Sequence, residues 1–260
     1  MVLNKDQLLN EFYASVEKSL GKISYACVHI LICILFSIST FYLIPIHVAS
    51  TDKQTSQVTY LHTFNCLIFA SVEYFLLKCK STKKNIYTYR TYSFKRVGYC
   101  KICGKEKYPR VHHCSICNSC TLRMDHHCHF LNCCIGLHNL KFFFLFLLYA
   151  FAIVSIHFRL SILVLVSHQK VPNFSYVLPS ISLLICLSCG ISTFVLLAVQ
   201  FLLISFNMTT IEFFAFLNKL KHDEFHFNHF NKSLIENWED AFHVESFARL
   251  LLAFLPFFDL

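Results

Sequence analysis

Apolar residues along this chain gather in blocks longer than a soluble helix needs. From Tyr25 to Val48 ("YACVHILICILFSISTFYLIPIHV") and from Val177 to Asn207 ("VLPSISLLICLSCGISTFVLLAVQFLLISFN") no Asp, Glu, Lys or Arg occurs. Each run exceeds the roughly 20 apolar residues that cross a hydrocarbon core of about 30 Å. Two further blocks are less uniform: Tyr60 to Leu77 is short and holds Glu73, and Phe142 to Val166 holds Arg159. Both charges are read as snorkelling to an interface or facing the bundle interior. The pattern predicts an all-α integral membrane protein with transmembrane helices at 25–48, 60–77, 142–166 and 177–207. Residues 1–24 carry Leu8, Leu9, Phe12 and Val16 at helical spacing, which predicts a short cytosolic helix lying along the membrane surface or a neighbouring element. The first span follows about two dozen polar residues and outruns a signal-peptide core, so it is read as retained. Residues 208–260 turn polar and then apolar, ending "SFARLLLAFLPFFDL", which is too short to span and is broken by Pro256.

Composition agrees, since 55% hydrophobic residues and 29 Phe exclude an ordinary soluble domain. Charge adds an orientation. Between Lys78 and Lys141 stand 13 Lys/Arg against Glu106 and Asp125, a balance of 13 − 2 = +11 beside +8 for the whole chain. The linkers 49–59 and 167–176 hold one Lys each. The positive-inside rule therefore puts the 78–141 segment and both termini in the cytosol. The stretch 78–99 interleaves Lys and Arg with Tyr87, Tyr89, Tyr92 and Tyr99. Nucleic acid would suit that composition. Next to two spans, attraction to anionic lipid head groups accounts for it more simply, so the partner is the bilayer and not nucleic acid.

Nine of the 14 cysteines lie in the same segment, at 79, 100, 103, 114, 117, 120, 128, 133 and 134. Cytosolic thiols stay reduced, which disfavours a disulfide framework and favours metal binding or thiol chemistry. The order is Cys100-x2-Cys103, His113-Cys114-x2-Cys117-x2-Cys120, His126-His127-Cys128 and Cys133-Cys134. Zn²⁺ takes four tetrahedral N/S ligands, and two ligands separated by two residues reach one ion from a tight turn. Residues 100–140 hold too few apolar side chains for a core, so metal must hold them together. Spacing does not partition the ligands. Two ions need eight, and the surplus includes Cys128, Cys133, His112, His126, His129 and His138.

Within that surplus, Asp125-His126-x-Cys128 has the parts of a nucleophilic site. A thiol attacks as thiolate, an imidazole can take its proton, and a carboxylate can hold that imidazole in the right tautomer. A purely architectural zinc module is the competing reading.

The stretch "CKICGKEKYPRVHHCSICNSCTLRMDHHC", residues 100–128, followed by "NCCIGLHN" at 132–139, resembles the DHHC-type protein S-acyltransferases, the palmitoyltransferases. "TTIE" at Thr209 to Glu212, "NWEDAF" from Asn237 and "LPFF" from Leu255 resemble that family's C-terminal motifs. The resemblance implies four or more spans with a cytosolic, zinc-stabilised cysteine-rich domain between helices 2 and 3. It implies two structural zinc ions, one held by Cys100, Cys103, His113 and Cys120, the other by Cys114, Cys117, His127 and Cys134. It further implies Cys128 as the acylated nucleophile, His126 as base and Asp125 as its orienting carboxylate. Thr210 would support Asp125, and Asn237 would anchor the C-terminal segment.

The expected activity is transfer of a long-chain acyl group from acyl-CoA, palmitoyl-CoA above all, through a Cys128 thioester. The acceptors are cysteines of membrane-associated proteins, in the endoplasmic reticulum or Golgi. The alternative is a catalytically inactive membrane zinc scaffold. The chain departs from the family at His129-Phe130, where Pro-Trp is usual, at Cys133, where a polar residue is usual, and in lacking Asp-Pro-Gly after the second span.

Overall fold

The structure is a computed structural model that describes residues 5–51, 55–82, 96–167, 176–220 and 228–256. Most of the basic, tyrosine-interleaved stretch and the last four residues lie outside the described residues. Helices α1 (Lys5–Ile38), α2 (Ile44–Thr51) and α3 (Thr55–Ser81) come first. Six short strands follow among the described residues: β1 (Gly98–Tyr99), β2 (Glu106–Lys107), β3 (His112–Cys114), β4 (Ser119–Thr121), β5 (His126–Cys128) and β6 (Cys133–Ile135). Then come α4 (Leu140–Ser167), α5 (Val177–Ser205), α6 (Thr210–Leu220), α7 (Leu234–Phe242) and α8 (Phe247–Ala253).

Among the described residues, four helical stretches are long and apolar enough to cross a membrane: Glu11–Ala49, Ser56–Ser81, Leu140–Ser167 and Val177–Ser205. That fits a multi-pass membrane protein. The helices outrun the apolar blocks that predict them. α1 runs through residues 24 and 25 without a break, because no proline interrupts the chain there and one glycine costs a helix only about 1 kcal/mol. α3 continues past Leu77 to place Lys78 and Lys80 in its last turn, where positive charge meets the carbonyl end of the helix dipole. Between α1 and α2 the backbone widens into a π-turn over Ser39–Leu43. Pro45 has no N–H to give the carbonyl one turn back, and the wider turn absorbs that loss.

The chain divides into two compact units. One comprises Val28–Phe75 and Phe144–Gln200. Its core gathers Leu35, Ile68, Val72, Ala150, Ile153, Val154 and Cys186, with a second cluster of Leu43, Ile44, Leu160 and Val164. Buried Asn65 and His157 pair there: Asn65 donates to Thr40 Oγ1 at 3.0 Å and meets His157 Nε2 at 3.0 Å. Leu184, Ile191, Phe194 and Val195 of α5 are exposed, as the surface of a helix in lipid should be.

The other unit comprises Met1–Cys27, Leu76–Phe143 and Phe201–Leu260. Its strands form three antiparallel hairpins, β1–β2, β3–β4 and β5–β6. The fold is thus mostly helical rather than wholly α. No apolar alternation announces these strands, because Cys and His occupy the alternating positions. α7 and α8 are short and well capped: Ser233 and Glu236 form a reciprocal capping box, and Ser246 accepts from the Arg249 N–H.

Candidate active site

The hairpin registers explain how neighbouring residues reach different places. In β5–β6, His126 faces Ile135, His127 faces Cys134 and Cys128 faces Cys133. Side chains alternate between the two faces of a strand, so His126 and Cys128 share one face while His127 and Cys134 share the other. In β3–β4, His113 faces Cys120, and Cys114, one residue on, turns the opposite way. The doubled pattern of ligands in sequence becomes two separate clusters in space.

Those clusters are Cys100, Cys103, His113 and Cys120, and Cys114, Cys117, His127 and Cys134, with the ligand atoms of each within 4.8 Å of one another. In the second, His127 Nδ1 lies 3.5 Å from Cys114 Sγ, 3.4 Å from Cys117 Sγ and 3.7 Å from Cys134 Sγ, and the sulfurs of Cys117 and Cys134 are 3.4 Å apart. In the first, Cys103 and Cys120 are 3.4 Å apart and His113 Nδ1 is 3.8 Å from Cys120. A tetrahedron with Zn–S bonds of about 2.3 Å has edges of about 3.5–3.8 Å, so the donor sets fit Zn²⁺. Electrostatics agree. Backbone N–H groups of Cys103 and Ile102 bring the Cys100 thiol down to about 6. Burial, then the neighbouring Cys103 and Cys100 sulfurs, push Cys120 up to about 12. Crowded thiolates of that kind are what a dication neutralises.

On the opposite face of β5, His126 Nδ1 donates to Asp125 Oδ2 at 2.7 Å. The Asp125 side chain is only 3% exposed. It also accepts from the Thr210 N–H at 2.7 Å and the Thr210 hydroxyl at 2.9 Å. Local sequence prepares that contact. In "TTIE", Thr209 and Glu212 cap one another: the Thr209 N–H donates to Glu212 Oε2 at 2.9 Å and the Glu212 N–H to Thr209 Oγ1 at 3.2 Å. This is a capping box, and it leaves the N–H of Thr210 at the positive end of α6 for a carboxylate.

With Nδ1 committed to Asp125, the His126 ring also lies close enough to Cys128 to interact with it. Burial by itself lowers the His126 pKa, but hydrogen bonds to Asp125 and Cys128 and their negative charge outweigh it and push the imidazole up to about 9. At neutral pH the ring therefore holds a proton. Phe143 packs edge-on against His126, with ring centroids 5.3 Å apart.

Sequence reading leaves out the strut that holds the α6 cap in place. Arg110 grips Glu212 with two bonds of 2.7 Å, and donates to Asn207 Oδ1 at 2.9 Å and to the Asn207 carbonyl at 3.0 Å. Arg123 donates to the same Asn207 Oδ1 at 2.8 Å. Asn207 is left-handed (φ 48°) just past the end of α5. Both guanidinium groups therefore sit at a helix carbonyl end, where cations are favoured. The only sequence signal for Arg110 is the basic residue after Pro109.

Asn139 is a second such anchor. Its Nδ2 donates to the Cys79 and Cys134 carbonyls, each at 3.0 Å, and its Oδ1 accepts from the Gly136 N–H at 2.9 Å. Gly136 admits no side chain, since a Cβ would lie 2.7 Å from the Leu122 carbonyl oxygen. Asn237 is fully buried and donates to the Ser205 carbonyl and to Asn231 Oδ1, each at 2.8 Å. Of the surplus residues, His129 is exposed with its ring 5.2 Å from that of His127, and Cys133 stands opposite Cys128.

In a comparison with known families, residues 93–216 fit the model described as DHHC palmitoyltransferase. Comparison with curated proteins finds no match.

Proposed function

The chain carries a DHHC palmitoyltransferase domain, and from that premise we propose that it is a protein S-acyltransferase working through a Cys128 thioester. The observation that carries the reading is the Asp125–His126 bond of 2.7 Å, with Asp125 braced by both donors of Thr210 and Cys128 on the same strand face as His126.

The reaction runs in two steps with an acyl-enzyme between them. Cys128 thiolate attacks the thioester carbonyl of a long-chain acyl-CoA, the bond to the CoA sulfur breaks, and the departing thiolate takes the proton of His126. The imidazole, now neutral, removes a proton from the cysteine of a membrane-associated protein. That thiolate attacks the Cys128 thioester, and Cys128 leaves as thiolate. Asp125 keeps Nδ1 protonated in both steps, so the same ring nitrogen faces the reacting sulfurs each time. Zinc, held by Cys100, Cys103, His113 and Cys120 and by Cys114, Cys117, His127 and Cys134, supplies structural cross-links and neutralises thiolate charge. The basic loop between the second and third spans faces the cytosol in this reading. There its Lys and Arg meet the anionic head of acyl-CoA while the acyl chain stays in the bilayer. The compartment that fits is the endoplasmic reticulum or Golgi.

The test is intact-mass analysis of the purified protein after incubation with palmitoyl-CoA. One hydroxylamine-sensitive acyl group on Cys128 is expected, with none on Cys128→Ser and zinc unchanged in both. Labelling that persists in Cys128→Ser, or a zinc-replete protein that never acylates, sinks the proposal; the second result would leave the inactive scaffold.

A further inference from the structure

Cys128 is not the only sulfur on its face of the β5–β6 hairpin. Cys133 lies directly opposite it in the antiparallel register, and opposed residues project to the same side. Although Cys134 next to it is a zinc-cluster residue, Cys133 belongs to neither cluster, because β6 turns successive side chains to opposite faces. A third sulfur reaches the same place from α3. Cys79 is fully buried, lies within hydrogen-bonding reach of Cys133, and its thiol donates to the Asn139 carbonyl at 3.8 Å. Nothing in the acyl transfer uses Cys133 or Cys79.

Strand pairing sets the separation of the first pair. Directly opposed residues of an antiparallel ladder have Cα atoms about 4.5–5.5 Å apart. A disulfide spans Cα separations of about 4.4–6.8 Å, and the ladder spacing falls inside that range. The hairpin register sets a second thiol directly across from the proposed nucleophile, which is the arrangement of a peroxide-sensing cysteine beside its resolving partner.

We propose that Cys133 is a resolving thiol for Cys128, and that a hydroperoxide switches the site off by closing a reversible Cys128–Cys133 disulfide across the hairpin. Cys128 thiolate attacks the peroxide, the O–O bond breaks, and a sulfenic acid forms as hydroxide leaves and takes up a proton to become water. Cys133 then attacks the sulfenic sulfur, gives up its proton, and expels a second hydroxide that also leaves as water. Two electrons pass from the two thiols to the peroxide. A thiol reductant reverses the bond by exchange and returns both thiols. While Cys128 carries an acyl group it has no thiolate to oxidise, so acyl-CoA protects the site. The inference rests on Cys128 being the reactive thiol, as proposed above.

The experiment uses the full-length protein in detergent, reduced, freed of reductant, treated with hydrogen peroxide and alkylated, then mapped by non-reducing peptide mass spectrometry. A Cys128–Cys133 cross-link is expected, with loss of autoacylation from palmitoyl-CoA, both zinc ions retained, and recovery on adding dithiothreitol. Preloading with palmitoyl-CoA prevents the cross-link. Cys133→Ser autoacylates when reduced, but peroxide then inactivates it irreversibly as Cys128 goes on to the sulfinic acid. Dithiothreitol recovery in Cys133→Ser overturns the proposal, as does a cross-link joining Cys79 to Cys133 or joining zinc-cluster cysteines with metal loss. Should Cys133→Ser lose zinc, the wild-type map decides alone. An autoacylating protein that forms no Cys128–Cys133 bond overturns the switch, whereas one that forms the bond but never autoacylates overturns the transferase reading instead.

Discussion

His126 and His127 are adjacent, yet one lies against a carboxylate and the other against three sulfurs. The division predicts two different phenotypes. Replacing His126 with Ala removes the proposed proton carrier and should slow autoacylation by about 10²–10⁴-fold with zinc content unchanged. Replacing His127 with Ala should release zinc and unfold the domain together, because metal binding and folding share one free energy there. Metal analysis beside single-turnover labelling separates the two. The pH profile follows from His126 as well. Its pKa is raised to about 9, so the ring is protonated across neutral pH and loses its proton as pH rises through that value. Single-turnover acylation should fall along that limb, where the leaving CoA thiolate loses its donor, and the limb should be absent from the residual activity of His126→Gln.

At the scale of elements, the site joins the end of β5 to the start of α6. Thr210 delivers both a backbone and a side-chain bond to Asp125. Thr210→Val keeps the first and loses the second. A hydrogen bond to a charged group contributes about 1.5–3 kcal/mol, so the acylation rate should fall about ten- to hundredfold with zinc retained. The Arg110–Glu212 fork should matter in the same direction, since it fixes the cap that aims Thr210. Arg110→Lys keeps the charge but loses the two parallel bonds, and a lower rate with unchanged zinc is expected. The "TTIE" sequence already reads as a capping box. Its consequence, a free N–H aimed at Asp125, depends on a residue 85 positions earlier in the chain and has no local signature.

For the whole molecule, the uneven charge of the chain sets a testable topology. If the 78–141 segment is cytosolic, both termini share its side, and tags at either end of the protein in sealed microsomes should be digested by added protease without detergent. Protection of one terminus alone would require an odd number of spans. Zinc provides a second handle: a strong chelator should abolish acylation and thermal stability together, whereas Cys128→Ser should lose acylation alone.

Residue order by itself determined the four apolar helices, because crossing a hydrocarbon core demands an uninterrupted apolar length that no other role explains. It also pointed the Cys and His of residues 100–134 toward metal, since that density of ligands in so small a space suits Zn²⁺, and the structure gathers them into two clusters that could hold an ion. Tertiary structure decided the rest. Alternation along strands only three residues long sent His127 to a metal cluster and left His126 beside Cys128. Chain folding brought Arg110 to Glu212 and Thr210 to Asp125. It also placed Cys133 across from Cys128, with Cys79 against it. Such partners lie far apart in sequence or are separated by a turn whose register depends on its surroundings, so no local periodicity encodes them.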